Sequence, residues 1–190
     1  MNLYLLILFF VCCSFNTYSQ NSDYEKAIIK INRMKNNISD STSLLDFTDY
    51  DLNTIPEEVY ELTNLKGLIL DNTNIENIPK DIKRLKSLTL LSLNNTKIKE
   101  FPKALFKLKN LTILSLNFTE VRSIPKGINK MKNLRELGIM FNLPIEYISP
   151  EIKKHQKIKV LYVCYEYTNE AIMEVINTLK QNGVYTANGC

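Results

Sequence analysis

The sequence holds no tryptophan, one histidine, five glycines and six prolines in 190 residues. The single histidine, His155, has no cysteine, aspartate or second histidine at its place in the chain's pattern, so no metal-ligand spacing forms around it and no nucleophile finds a base. Five glycines supply no glycine-rich phosphate loop. They also leave no flexible linker between modules, which points to one domain with a continuous core. Long apolar runs are missing too: the densest, Leu3 to Phe15, falls short of the roughly 20 residues that a membrane-spanning helix needs. The inventory therefore argues against an enzyme, and no cofactor or metal is expected.

Charge is absent from Met1 to Ser22. An apolar stretch of that length, closing on Thr17-Tyr18-Ser19, reads as a signal peptide over residues 1–19 with Gln20 as the first mature residue. The expected location is then outside the cytoplasm: periplasm, cell surface or medium. No lysine or arginine precedes the apolar run, so retention as an uncleaved signal anchor is the alternative. Cys12 and Cys13 lack the small preceding residue of a lipidation box and read as part of the apolar run. Cys164 and Cys190 remain. Export permits a bond between them, but the two Cα atoms must lie within about 7 Å, which the sequence does not show, and two unpaired thiols are the plainer expectation.

What the chain does have is a period. Leu65, Leu88, Leu111 and Leu134 stand 23 residues apart, and a fixed spacing of this size is the mark of a solenoid. With Leu65 as position 1, its unit carries Leu68, Leu70, Ile75, Ile78, Ile82 and Leu85, with Pro79 after Ile78. From Leu88 come Leu91, Leu93, Ile98, Phe101, Pro102, Leu105 and Leu108, and from Leu111 come Leu114, Leu116, Val121, Ile124, Pro125, Ile128 and Met131. Positions 4 and 6 alternate as in a short strand, with one face inward, and should stack into a parallel sheet. The proline at position 15, with its fixed φ and missing donor, suits the first turn of a short helical return. Thr73, Thr96, Thr119 and Asn142 at position 9 are expected to bond backbone groups at the bend and in the neighbouring coil.

The pattern LxxLxLxx[TN]xIxxIPxxIxxLxN resembles the leucine-rich repeat family, and its Ile-Pro is similar to the bacterial and Ras-suppressor-like subclass. The resemblance runs from about residue 42 to 163. It implies an α/β horseshoe with a parallel sheet on the concave face and short helical or 3-10 segments on the convex face. It also implies a non-catalytic protein-interaction or ligand-binding module; an intracellular or membrane-anchored regulator of signalling proteins is the alternative.

One unit cannot bury enough to stand alone, so the stack needs covers. Ser22-Asp23-Tyr24-Glu25 reads as a capping box opening a helix whose Ile28, Ile31 and Met34 lie on the first coil. A second helix after Thr168 would present Ile172, Val175, Ile176 and Leu179 and stop at Gly183. The expected division is a helical cap over 20–41, about five repeats over 42–167 and a second cap over 168–190. The fifth unit is irregular: Pro144 adds a residue, and His155 falls where leucine or methionine stood before, as a half-exposed structural side chain.

Positions 3, 5, 7 and 8 are left for the exposed concave face. At positions 7 and 8 the residues pass from Thr48-Asp49, Asp71-Asn72 and Asn94-Asn95 to Asn117-Phe118, Met140-Phe141 and Cys164-Tyr165. Clustered aromatic and methionine side chains make binding surfaces, so Phe118, Met140, Phe141, Tyr162 and Tyr165 are the expected partner contacts, unless the C-terminal segment folds over them. The net charge of +4 is unevenly spread: residues 20–79 hold 5 basic and 11 acidic side chains, residues 80–159 hold 18 and 6, and residues 160–190 hold 1 and 3. Most of the basic excess falls on the returning arms. It forms a convex stripe able to make weak anionic contacts, although without interleaved aromatics no nucleic-acid partner is expected. The chain is expected to be a monomer.

Overall fold

A computed structural model describes residues 23–36, 43–140, 145–165 and 169–188. The segment read as a signal peptide, together with Phe141, Asn142 and Pro144, lies outside them. After a helix over 23–36 (α1), the chain makes short strands one coil apart: β1 (Leu44–Asp46), β2 (Gly67–Ile69), β3 (Leu90–Ser92) and β4 (Ile113–Ser115). The two-residue strand β5 (Ser123–Ile124) follows, then β6 (Glu136–Ile139), β7 (Tyr147–Ile148) and β8 (Val160–Val163). A helix α2 (Glu170–Gln181) and a last strand β9 (Tyr185–Asn188) complete the described chain.

The repeat register becomes the sheet register. Leu45, Leu68, Leu91, Leu114, Leu137 and Leu161 are Cα partners in parallel pairs, one after another, across a seven-stranded sheet in the order β1-β2-β3-β4-β6-β8-β9. All six leucines are fully buried, as are Phe47, Leu70, Leu93 and Leu116 two residues on. The strands are short because position 8 turns the chain: Asp49, Asn72, Asn95 and Phe118 all have positive φ, between 51° and 64°.

The returning arms are 3-10 segments: Glu57–Glu61, Lys80–Arg84, Lys103–Lys107, Ile128–Lys130 and Pro150–Lys154. Pro56, Pro79 and Pro102 sit just before their segments as cap residues, while Pro150 takes the first-turn place. Apolar positions 18 and 21 then meet the strands, with Ile82, Leu85, Leu105, Leu108, Ile128 and Met131 buried. The added residue of the fifth unit is accommodated beside a second, two-stranded sheet in which β7 pairs parallel with β5.

Helix α1 closes the β1 end of the stack. Ala27 and Ile31 are fully buried, and Ile28 and Met34 pack against the core. Lys30 Nζ donates to the Asp46 carbonyl and stands 5.9 Å and 5.7 Å from the Phe47 and Tyr50 ring centres. The far end differs from the expected cap. Helix α2 does bury Ile172, Val175, Ile176 and Leu179, begins on Asn169, whose Oδ1 accepts from Ile172 N (3.0 Å), and ends at Gly183 with φ 78°. The chain then returns to the sheet as β9, parallel to β8, so α2 is the returning arm of a further coil. Strand β9 brings Thr186 beneath the leucine column and Asn188 beside Val163. Polar residues at the inward positions end the apolar column there.

Candidate interaction surface

The bend at the rim of the concave face is built from side chains that bond from coil to coil. At position 7, Asp71 Oδ1 accepts from Asn94 N (2.9 Å), Asn94 Oδ1 from Asn117 N (3.0 Å), and Asn117 Oδ1 from Met140 N (2.7 Å). At position 8, Asn72 Nδ2 donates to Asp49 Oδ1 (2.7 Å), and Asn95 Nδ2 donates to Asn72 Oδ1 (2.9 Å). Position 7, read from the sequence as free surface, is thus part of the scaffold. The threonines of position 9 work within their own coil: Thr73, Thr96 and Thr119 are buried, and each Oγ1 donates at 2.8 Å to the carbonyl three residues before it. Gly138 is required by the same ladder, since a Cβ there would come within 2.9 Å of Asn117 Oδ1.

The position 8 ladder stops at Phe118. Its backbone keeps the left-handed form (φ 56°) and its N–H still donates to Met140 O at 2.9 Å, but an aromatic ring replaces the amide. Asparagine and aspartate tolerate this conformation because their short polar groups bond locally, whereas a bulky side chain is strained in it by about 1–2 kcal/mol. The ring is 53% exposed. Strain combined with exposure at one aromatic residue has no counterpart in the earlier coils.

The other expected contacts divide. Met140 and Tyr162 are half-buried, and Tyr162 meets Tyr185 of β9 edge to face, with ring centres 6.3 Å apart at 73°. Tyr185 is 62% exposed, the most open large hydrophobic side chain among the described residues. The sequence reading missed it. The available signal was the run Tyr185-Thr186-Ala187-Asn188 directly after the helix-ending Gly183. Tyr165, by contrast, is held by the scaffold: it packs against the core, its N–H donates to Asn188 Oδ1 (3.1 Å), and the Lys180 ammonium lies 5.3 Å from its ring centre. Cys164 is buried and disulfide-bonded, its partner lying outside the described residues. Phe141 is outside them as well. Strand β9 extends the sheet sideways, leaving Tyr162 and Tyr185 on the sheet's open face.

Along that face, position 3 supplies Leu44, Leu90, Ile113, Val160 and Tyr185 in successive coils, interrupted by Gly67 and Glu136. Beside Ile113 and Val160 is a hollow of about 370 Å³, walled by Thr112, Arg135, Glu136 and Lys159. The opposite end is acidic. Asp46 accepts from the Thr48 hydroxyl (2.6 Å) and N–H (2.8 Å). Burial pushes its carboxyl up, but these two bonds and the Lys30 charge outweigh it and hold the carboxyl below its usual range.

His155 takes the structural place expected of it. Its Nε2 lies 3.0 Å from the Met131 carbonyl, while Nδ1 accepts from Lys157 N (3.3 Å) and Ile158 N (3.2 Å), so the neutral Nε2–H tautomer satisfies all three contacts. Burial lowers its pKa, with the Met131 carbonyl acting in the other direction.

Residues 43–181 match the family model described as the leucine-rich repeat region. Among solved structures, a leucine-rich repeat protein of Leptospira interrogans is 23% identical with a TM-score of 0.58, over 76% of this chain and 43% of that one. A chain of the Toll–Spatzle complex, a molecular hub in Drosophila development and innate immunity, is 23% identical with a TM-score of 0.58, over 64% of this chain and 17% of its own. A chain of the TLR13–ssRNA13 complex is 18% identical with a TM-score of 0.62, over 77% and 21%. These likenesses establish the fold, and this chain spans less than half the length of each. No curated protein matches it. With the family model covering residues 43–181 and a 23-residue register carried from β1 through β4 to β6, the chain belongs to the leucine-rich repeat family.

Proposed function

We propose that the chain is a non-catalytic binding module of the cell envelope that receives a protein partner on the C-terminal half of its concave face. Phe118 carries this reading. An exposed aromatic residue stands here in a left-handed backbone, where the preceding coils have Asp49, Asn72 and Asn95, and carries a strain that those short polar side chains avoid. The Tyr162–Tyr185 pair, two and three strands along the sheet from β4, and the apolar position 3 column lie on the same side of the sheet. Rigid aromatic side chains of this kind bring large contact area at low entropic cost, which suits them to anchor a partner. The envelope location is supported by the uncharged segment from Met1 to Ser22 with its apolar run Leu3 to Phe15.

Affinity capture from envelope extracts tests the reading, with the wild-type chain and a Phe118→Asn/Tyr185→Ser variant as baits. A protein retained by the wild type should be lost with the variant while both baits unfold cooperatively. Capture of an identical set by both baits would refute the concave site. N-terminal sequencing of the chain from its native host should begin at Gln20, and cytosolic recovery with Met1 intact would refute the envelope location.

A further inference from the structure

The convex face carries an ordered array of cations that outnumber the acids of the same arms, Asp81 and Glu151. Four consecutive 3-10 segments end on a positive residue, namely Arg84, Lys107, Lys130 and Lys154. Two residues beyond the first three lie Lys86, Lys109 and Lys132, all exposed. Neighbouring arms are tied side by side, with Asn110 Nδ2 donating to Lys86 O (2.8 Å), Asn133 Nδ2 to Lys109 O (2.8 Å), and Lys109 Nζ to Lys130 O (3.0 Å). The cations therefore form two parallel rows that step from coil to coil. Adjacent strands of a sheet are about 4.8 Å apart, so four coils carry the rows across about 15 Å. A single step is inside the Debye length of about 8 Å at physiological salt, so neighbouring charges act together on anything lying across them.

A favourable cation at the end of each helical segment accounts for the first row. It does not account for the second. Nor is the face balanced as other positions are: Lys99 pairs with Glu120 and Arg122 with Glu146 across the bends, whereas no ion pair among the described residues uses a member of either row. The mutual crowding leaves a mark at Lys109, whose pKa is lowered by burial and by the charges of Lys107, Lys132 and Lys130. Acids bound the array. The first coil ends its segment on Glu61, already paired with Lys35, and beyond the last coil Glu174 pairs with Lys153. At the far end the rows open into a hollow of about 480 Å³ lined by Lys132, Lys154, Lys157, Asn129, Asn133 and His155, with no acid in its wall.

We infer that this convex face is a binding site for a linear acidic polysaccharide, laid across the coils with its carboxylate or sulfate groups on the two lysine rows. The other common polyanions fit this face less well. Single-stranded nucleic acid is held by stacking on successive aromatic rings, but Phe101 and Phe106 are buried and Tyr147, exposed on β7, is a single ring. A membrane surface is held by several apolar side chains inserted beside the charges, whereas the exposed large hydrophobics Leu44, Phe118 and Tyr185 belong to the sheet side, Tyr24 and Ile29 to α1, and Tyr147 stands singly on β7. Beside the acids Asp81 and Glu151, the arms present mostly cations and side-chain amides, the donors that carboxylates and sugar hydroxyls accept from.

The full chain should be titrated with a fluorescent uronate oligosaccharide prepared from alginate, neutral dextran of matched length, a single-stranded DNA oligomer of matched charge, and phosphatidylglycerol vesicles. The uronate should bind with an affinity that falls as salt rises, and the dextran should not bind. A Lys107→Gln/Lys130→Gln/Lys154→Gln variant should bind the uronate at least tenfold more weakly, and Lys66→Gln/Lys97→Gln/Lys99→Gln should bind it as the wild type does. Lysine acetylation of the wild type, mapped by mass spectrometry, should show Lys107, Lys130 and Lys154 protected by the uronate, a readout independent of any variant's folding. Absence of uronate binding or of that protection, equal weakening in both variants, or tighter binding of the DNA or the vesicles would overturn the assignment.

Discussion

Replacing Phe118 by asparagine should leave the fold at least as stable as before while removing the surface it presents. The substitution relieves left-handed strain of about 1–2 kcal/mol, since asparagine tolerates that backbone. It also restores the amide of the position 8 ladder next to Asn95, an exposed hydrogen bond worth about 0.5 kcal/mol. Against this stands the ring itself. Full burial of a phenylalanine contributes about 1.5–3 kcal/mol, and with 53% of the residue exposed about half of that is at stake. The balance is a gain between about 0 and 2 kcal/mol, which in a chain of this size raises the melting temperature by up to several degrees. Urea unfolding followed by circular dichroism measures it. A loss above about 2 kcal/mol would show that the ring is packed as core, and would remove the argument that strain here is kept for binding.

Thr96→Val should destabilise by about 1 kcal/mol in the same assay, because the Leu93 carbonyl loses its buried 2.8 Å partner. Tyr60→Phe should be neutral or stabilising by up to about 1 kcal/mol, since the Tyr60 hydroxyl is buried without a partner, and a clear loss would show that the hydroxyl has one. Stability should also depend on His155. Its folded pKa is depressed, so the unfolded chain takes up the proton first, near 6.5, and stability present above that value is lost as the pH falls through the lower folded pKa. The urea midpoint of a His155→Met variant should be flatter than wild type in that window; identical slopes would refute the assignment. Reduction should lower the melting temperature of the wild type and leave a Cys164→Ser variant unmoved, while non-reducing peptide mapping identifies the Cys164 partner.

Much of the scaffold was legible because it is periodic. Each leucine at positions 4 and 6 has one role, repeated, and a spacing of 23 converts directly into the strand register. The face of α2 was legible for the same reason, since Ile172, Val175, Ile176 and Leu179 fall on one side at helical spacing. Strand β9 was not. Its inward residues, Thr186 and Asn188, carry no apolar alternation, and the strand exists because β8 offers it an edge to pair with. The position 7 ladder was hidden for a different reason: Asp71, Asn94 and Asn117 look like ordinary surface residues, and only the stacking of coils brings each oxygen to the next coil's N–H. The setting of Tyr165 was not legible either, because a ring at position 8 is exposed in one coil and packed against the core beside β9 in another.

Site-specific photo-crosslinking in the native host tests the central claim most directly. A photoreactive phenylalanine at the place of Phe118 or Tyr185, both on the concave sheet side, should yield a covalent adduct with a second protein, whereas the same group at Ile29 on α1 should not. An adduct from Ile29 alone, or none from either concave position, would contradict the assignment of the concave C-terminal half as the binding surface.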